Sequence, residues 1–240
     1  MTKDLIYTEN NGIITNIGKR KRGAPMKYLL MHKNIEVADI DIDDVLGGIT
    51  SVNEVMRREH FPVGIVHPLH HNEVIDRGAL NKWWCSRSIP ASRMGIADAF
   101  DTLGISAPSE LLTKCFGLSL SDHYWIKPSG SSMKWEDVNF FDNDFSDDIG
   151  DVLFGTNTKS SGFDFNSPDN TSDGNLKKRW KIIDGKRCLL KAGSMPYRQQ
   201  PYNEVIASII MDRLGIDHVP YSVVNIGNEP FSICEDFITK

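Results

Sequence analysis

The chain has 240 residues, of which 40% are hydrophobic and 25% charged, and its formal net charge is −5 at pH 7. This composition is typical of a globular protein and excludes a disordered or fibrous one. The negative charge gives no indication of a general nucleic-acid-binding protein, and no apolar run approaches the roughly 20 residues that span a bilayer. The N-terminus lacks the apolar core of a signal peptide, so a cytoplasmic location without a membrane partner is expected.

The first 71 residues contain little that predicts chemistry. Residues 1–25 are predicted to form a weakly structured tail, and the basic run KRKR at 19–22 is interpreted as solvated. Residues 27–42 predict two strands around a turn at 32–34, because apolar and polar residues alternate there. Residues 61–71 are predicted to be a loop. Its histidines, His67, His70 and His71, lack partner cysteines and the HExxH frame, so no metal site is predicted.

Three helices are predicted next, at residues 79–86, 91–103 and 108–115, with Gly104 ending the second. The tight break between the first two is similar to a helix-turn-helix, which leaves a DNA-associated regulator open as an alternative. Two packing helices are the commoner arrangement, so direct contact with nucleic acid is not expected.

Residues 135–155 carry alternating carboxylates, as a calcium loop does. Asp147 stands where such a loop requires glycine, and Leu153 where it requires glutamate, so calcium binding is not predicted. A short helix with Ile149, Val152 and Leu153 turned inward explains the pattern better. Residues 156–174 are rich in Ser, Asn, Asp, Thr and Gly, which predicts a loop and a domain boundary.

The four cysteines have no CxxC spacing, and we expect reduced thiols, most of them buried. They are Cys85, Cys115, Cys188 and Cys234.

The C-terminal unit shows the clearest order of elements. Two strands at 179–183 and 186–192 flank Asp184-Gly185, a strong hairpin signal because both positions need positive φ. A helix at 201–214 ends at Gly215, and a second hairpin is predicted at 221–226 and 231–236. The helix is predicted to bury one apolar face. Its members are Tyr202, Val205, Ile206, Ile209, Ile210 and Leu214.

A lysine at the end of a strand, followed by a glutamate near the start of a helix, is the pair that holds ATP phosphates in protein kinases. Lys191 and Glu204 have these positions. A strand ammonium offers a compact charge to phosphate, and a carboxylate both holds the lysine in place and keeps it charged. The alternative is a solvated Lys191 and a Glu204 that only favours the helix N-terminus. The order of elements matches the small lobe of a protein kinase and favours the first interpretation.

Several motifs resemble those of the HipA-like serine/threonine kinases of bacteria. They are SPDNTSDGNLKKRW, CLLKAG, QQPYNEVIASIIMDRLGI with HVPYSVV, and FSICEDFIT, between Ser167 and Thr239, which is roughly a third of the chain. The upstream segments WWCSRSIPASR and FFDNDFSDDIGDVLFG are also similar to the N-terminal part of that family.

The resemblance implies an α+β fold: a helix-rich N-terminal domain with a small β-unit at 26–158, then a kinase-like small lobe at 159–240, an antiparallel sheet with one packed helix. It implies that Lys191 binds phosphate, that Glu204 is its partner, and that Glu235 and Phe237 lie in the hinge whose backbone contacts adenine.

The resemblance also implies a phosphate-covering loop, although GxGxxG is missing from it. The loop residues are Ser172, Asp173, Gly174 and Asn175. In relatives a loop serine is autophosphorylated and the loop moves out, which makes Ser172 or Thr171 the candidates here.

The catalytic Asp and the Mg²⁺ ligands of a kinase follow the hinge, on the large lobe. No catalytic or metal residue is therefore assigned in this chain. It is expected to be the N-terminal half of a kinase that binds ATP with Mg²⁺ and is inactive alone. Expected partners are a large lobe or another protein chain, and an antitoxin-type regulator. The alternative is a non-catalytic interaction or regulatory module.

Overall fold

The computed structural model describes residues 26–43, 45–69 and 72–240. The predicted tail at 1–25, and His70 and His71, lie outside the described residues. Within them the chain forms ten strands and six α-helices, and the strands make three antiparallel sheets. The mixed α+β class is therefore confirmed.

The first sheet has the order β3-β2-β1-β6 and contains the hairpin predicted at 27–42. A separate two-stranded sheet lies between β3 and β6 in sequence, so the N-terminal β-structure is larger than the small unit predicted. The prediction of a loop at 61–71 is wrong for Val66–Leu69, which form the strand β4. The strands are β1 (Met26–His32), β2 (Ile35–Ile42), β3 (Ile49–Val55), β4 (Val66–Leu69), β5 (Asn72–Ile75) and, further along the chain, β6 (Tyr124–Pro128).

Five helices follow β5, namely α1 (Arg77–Ser86), α2 (Ile96–Leu103), α3 (Pro108–Lys114), α4 (Trp135–Val138) and α5 (Asp148–Phe154). The first and third confirm the predictions, and α5 buries Ile149, Val152 and Leu153 as predicted. The second prediction is wrong at its start. Residues 91–95 form turns, because Gly95 adopts φ 80° and the helix begins only after it. Gly104 ends α2 as predicted.

The C-terminal sheet has the order β7-β8-β10-β9 and consists of the two predicted hairpins with one helix between them in sequence. Asp184 and Gly185 have φ of 51° and 77°, as an Asp-Gly turn requires. Gly215 ends the helix. The elements are β7 (Lys178–Ile183), β8 (Lys186–Ala192), α6 (Gln200–Leu214), β9 (Ser222–Ile226) and β10 (Glu229–Glu235).

The predicted buried face of α6 is wrong. Glu204 and Ser208 turn toward the sheet instead, where Ser208 accepts a hydrogen bond from the backbone N of Tyr221 at 3.2 Å. These polar contacts fix the rotation of the helix, so its apolar side faces outward. Five of the six predicted residues are exposed, namely Tyr202, Ile206, Ile209, Ile210 and Leu214.

An aromatic cluster joins the two large sheets. Trp125 of β6 and Trp180 of β7 pack with Trp135 and Phe140, and all four are buried. The loop predicted at 156–174 ends in a buried 3-10 turn, Pro168–Thr171, beside this cluster. The division into units at 26–158 and 159–240 remains a prediction.

All four cysteines are free and three of them are buried, as predicted. Among the described residues, no helix combines the length and apolar character that crossing a bilayer requires.

Candidate functional site

The predicted lysine–glutamate pair forms. The Nζ of Lys191, on β8, donates to the Oε1 of Glu204, on α6, at 2.9 Å, and to the hydroxyl of Tyr221 at 2.8 Å. The ammonium also lies 4.6 Å from the centre of the Tyr221 ring, a cation–π contact. The other oxygen of Glu204 accepts from the hydroxyl of Ser232, on β10. Both side chains of the pair are largely shielded, with 19% of Lys191 and 30% of Glu204 exposed.

These contacts decide the charge of Lys191. Burial alone would lower the pKa of its ammonium, but the hydrogen bonds to Tyr221 and Glu204 outweigh burial and the pKa is raised. The lysine is therefore a fixed positive charge at neutral pH.

A second lysine stands directly opposite the first. Lys178 of β7 pairs with Lys191 across the hairpin, so both side chains lie on the same face of the sheet. Burial, together with the positive charges of Arg93 and Lys191, lowers the pKa of Lys178. Within the described part of the chain, Lys178 donates no hydrogen bond and forms no ion pair. It is free to bind an anion.

Lys178 is not among the residues predicted from the sequence, although the signal was present. An Asp-Gly turn pairs Ile183 with Lys186, and counting back along both strands pairs Lys178 with Lys191. Tyr221 and Ser232 were also missed. Their roles depend on how α6 rotates, which the sequence pattern predicted wrongly.

Of the four predicted loop residues, Gly174 lies next to Lys178. Gly174 has φ 94°, a backbone conformation that favours glycine, and a Cβ at this position would lie 2.8 Å from the Nζ at the end of the Lys178 side chain. Asn175 and Ser172 are held by a turn in the N-terminal part of the chain. There the Oγ of Ser92 donates to the Oδ1 of Asn175 at 2.8 Å.

Neither proposed phosphate acceptor is exposed. The Oγ of Ser172 donates to the carbonyl of Asp169 at 3.2 Å, and the Oγ1 of Thr171 donates to the carbonyl of Leu118 at 2.9 Å. Both residues are only 6% exposed. The loop would have to leave this position before either hydroxyl could be modified.

The two hinge candidates lie away from the lysines. Glu235 pairs with Cys188, three residues along β8 from Lys191, which is about 10 Å along a strand. Its carboxylate binds the Nζ of Lys186 at 2.8 Å, and Phe237 is exposed. The structure therefore does not bring Glu235 into contact with Lys191.

The two faces of β7 differ in charge. On the face opposite Lys178, the guanidinium of Arg179 binds the carboxylates of Asp151 at 2.6 Å and Asp147 at 3.1 Å. The carboxylates around α5 therefore neutralise Arg179. On the lysine face, Glu204 balances Lys191, whereas Lys178 has no ion-pair partner among the described residues.

No group of three or more His, Cys, Asp or Glu side chains within residues 26–43, 45–69 and 72–240 is arranged to hold a metal ion. A scan against protein-family models finds no match, and a search of curated protein sequences finds no relative.

Proposed function

We propose that residues 159–240 form the lysine–glutamate side of an ATP site in a HipA-like serine/threonine kinase. The observation that carries this proposal is the contact between Lys191 and Glu204 at 2.9 Å, with Lys178 opposite on the same sheet face. A strand lysine held by a helix carboxylate is the arrangement that protein kinases use for the α- and β-phosphates.

The residues present fit the triphosphate of ATP. Lys191 offers a fixed charge and Lys178 offers an ammonium without a hydrogen-bond acceptor among the described residues. Gly174 brings the loop backbone against Lys178. An incoming phosphate raises the pKa of Lys178 again and compensates the crowding of positive charge at this point.

Each residue has a distinct role in this proposal. Lys191 and Lys178 bind phosphate oxygens, Glu204 orients Lys191, and Tyr221 supports the same ammonium from the other side. Bound Mg²⁺ would neutralise part of the phosphate charge. We assign no metal ligand and no catalytic base to residues 1–240, since the resemblance places these groups on a large lobe after the hinge.

Binding of Mg-ATP to purified residues 1–240 by titration calorimetry tests the proposal. We expect weak binding, which Lys191→Ala lowers at least about tenfold, a loss of about 1.4 kcal/mol. Lys181→Ala is the matched control, because Lys181 lies on the same hairpin but binds Asp147 on the opposite face. Equal ATP affinity in wild type and Lys191→Ala would contradict the proposal, as would robust phosphate transfer by residues 1–240.

The exposed apolar side of α6 favours a second candidate, a non-catalytic module that binds another protein chain. Contiguous exposed apolar residues such as Ile206 and Ile210 mark interaction surfaces. A chain that binds no ATP or ADP, yet forms a stoichiometric complex that Ile206→Asp and Ile210→Asp abolish, would favour this candidate.

The DNA-associated alternative gains no support from the helices. The exposed side of α2 carries Asp98 and Asp101 and no lysine or arginine, which repels a phosphate backbone. In α1, Trp84 is fully buried, and its indole donates to the carbonyl of Gly47. A mobility-shift assay in which no salt-sensitive binding occurs would reject this alternative.

A further inference from the structure

The turn at residues 91–95, a segment predicted as helix, forms hydrogen bonds with the predicted phosphate-covering loop at residues 172–175. Arg93 is 3% exposed, and its guanidinium makes three contacts with the loop. Its Nε donates to the carbonyl of Gly174 at 2.9 Å, and one amino group donates to the Oγ of Ser172 at 3.0 Å. The other amino group donates to the carbonyl of Ser172.

The residues on both sides of Arg93 also form hydrogen bonds with the loop. The Oγ of Ser92 donates to the side chain of Asn175, and the backbone N of Met94 donates to the carbonyl of Asn175 at 3.4 Å. Three consecutive residues from the N-terminal part of the chain thus hold the loop, about 80 positions away in sequence.

The contacts of Arg93 fix the direction of two peptide planes. A trans peptide carries its C=O and its N–H on opposite sides, so a carbonyl bound to Arg93 turns the next N–H away from it. The carbonyls of Ser172 and Gly174 are bound, and the N–H groups of Asp173 and Asn175 therefore point away from the arginine. Neither N–H donates to another residue in the described part of the chain.

We propose that Arg93 is a positioning residue for the phosphate site. It fixes the loop in a conformation in which these two N–H groups face the ligand. Converging backbone N–H groups form an anion-binding concavity. Gly174 lies between them in sequence, and a Cβ built on it would come 2.8 Å from the Nζ of Lys178, so this part of the loop lies beside the lysine pair. This inference rests on the proposed function, and it makes the N-terminal region part of the nucleotide site.

The test compares Arg93→Ala and Arg93→Lys with wild type, and Arg57→Ala is the control because Arg57 is an exposed arginine that binds only the adjacent backbone. Calorimetry measures the affinity for Mg-ATP and, separately, for adenosine, which has no phosphate. We expect Arg93→Ala to weaken ATP binding about tenfold and adenosine binding less than twofold. Arg93→Lys keeps the charge but not the planar fork, and we expect partial rescue. A loss shared equally by ATP and adenosine would indicate a merely structural role and overturn the inference.

Hydrogen exchange separates this inference from the proposed function. Peptides covering residues 172–176 should exchange faster in Arg93→Ala, with no change in Arg57→Ala. Unchanged exchange would overturn the inference even if wild type binds ATP. If wild type binds no ATP, the proposed function and the phosphate role of the loop both fail, and the exchange comparison still decides whether Arg93 fixes the loop. Should Arg93→Ala not fold, Arg93→Lys and Ser92→Ala serve the same comparisons, and unchanged exchange and affinity in both would overturn the inference.

Discussion

Two neighbouring pairs on one face of the C-terminal sheet have opposite surroundings. Trp180 pairs with Leu189, and two residues further along the same strands Lys178 pairs with Lys191. The first pair is covered by the aromatic cluster, whereas the second meets Glu204 of α6. Both pairs follow the same alternation, so the strand pattern does not determine their roles. The elements packed against each pair do.

We expect changes at the tryptophan end to affect stability, and changes at the lysine end to affect ligand binding. Trp180→Ala should have the largest effect, since it empties a packed site where only 7% of the side chain is exposed. We expect the free energy of unfolding to fall by about 3–5 kcal/mol. Urea denaturation measures it. Lys191→Ala, the counterpart at the other end, should lose about 1 kcal/mol. A loss equal to that of Trp180→Ala would show that the two ends of the strands do not differ in this way.

The carboxylate that supports the tryptophan end predicts a pH dependence. Asp169 accepts a hydrogen bond from the backbone N of Trp180 at 2.8 Å. Burial raises the pKa of this carboxyl to about 7, although the same hydrogen bond and the charges of Arg179 and Arg93 oppose the rise. The folded protein therefore binds the proton more tightly than the unfolded chain does. The stability that Asp169 contributes is fully present below about pH 4 and is lost as pH rises through about 7.

The measurement compares wild type with Asp169→Asn, which cannot ionise. Their difference in unfolding free energy should shift against wild type by up to about 1.4 kcal/mol per pH unit between about pH 4 and 7. A difference that stays constant over this range would show that folding does not raise the pKa of Asp169.

A smaller effect is expected from Tyr221→Phe, at the lysine end. This change removes the hydroxyl that accepts from Lys191 and keeps the ring beneath the ammonium. We expect a loss of about 1 kcal/mol in unfolding free energy, typical of one hydrogen bond. Tyr197→Phe is the control, because Tyr197 is 81% exposed, and it should change nothing measurable. Identical effects of the two changes would contradict the assigned role of Tyr221.

The smallest effect is expected on the outer side of α6. Ile210→Ser should change the free energy of unfolding by less than about 0.5 kcal/mol, because the side chain is half exposed. Ile40→Ser in the fully buried core of the first sheet should cost several times more. A large loss at Ile210 would show that α6 buries its apolar side in the folded protein, as the sequence pattern predicted.

Local chemistry made part of this structure predictable. The Asp-Gly turn determined the hairpin of β7 and β8, and its register alone places Lys178 opposite Lys191. Gly104 and Gly215 determined helix ends, because the residue after a helix adopts the left-handed conformation. Lys191 and Glu204 were predicted as a pair from their order along the chain.

Long-range contacts were not predictable from the pattern. The rotation of α6 follows from hydrogen bonds of Glu204 to Ser232 on β10 and of Ser208 to the backbone of Tyr221, which outweigh the apolar periodicity of the helix. Arg93 reaches Ser172 across 79 positions, and neither segment alone indicates the other. The geometry of the site therefore depends on which elements pack against one another, and the sequence pattern does not determine this.

The proposed ATP site places the phosphates against Lys191 and Lys178. An acyl-phosphate derivative of ATP transfers its acyl group to a lysine next to the phosphates, and mass spectrometry then identifies the acylated lysine. We predict labelling at Lys191 and Lys178 that excess ATP suppresses, above the labelling of the more exposed Lys186. Labelling that follows lysine exposure alone and is insensitive to ATP would contradict the proposed ATP site.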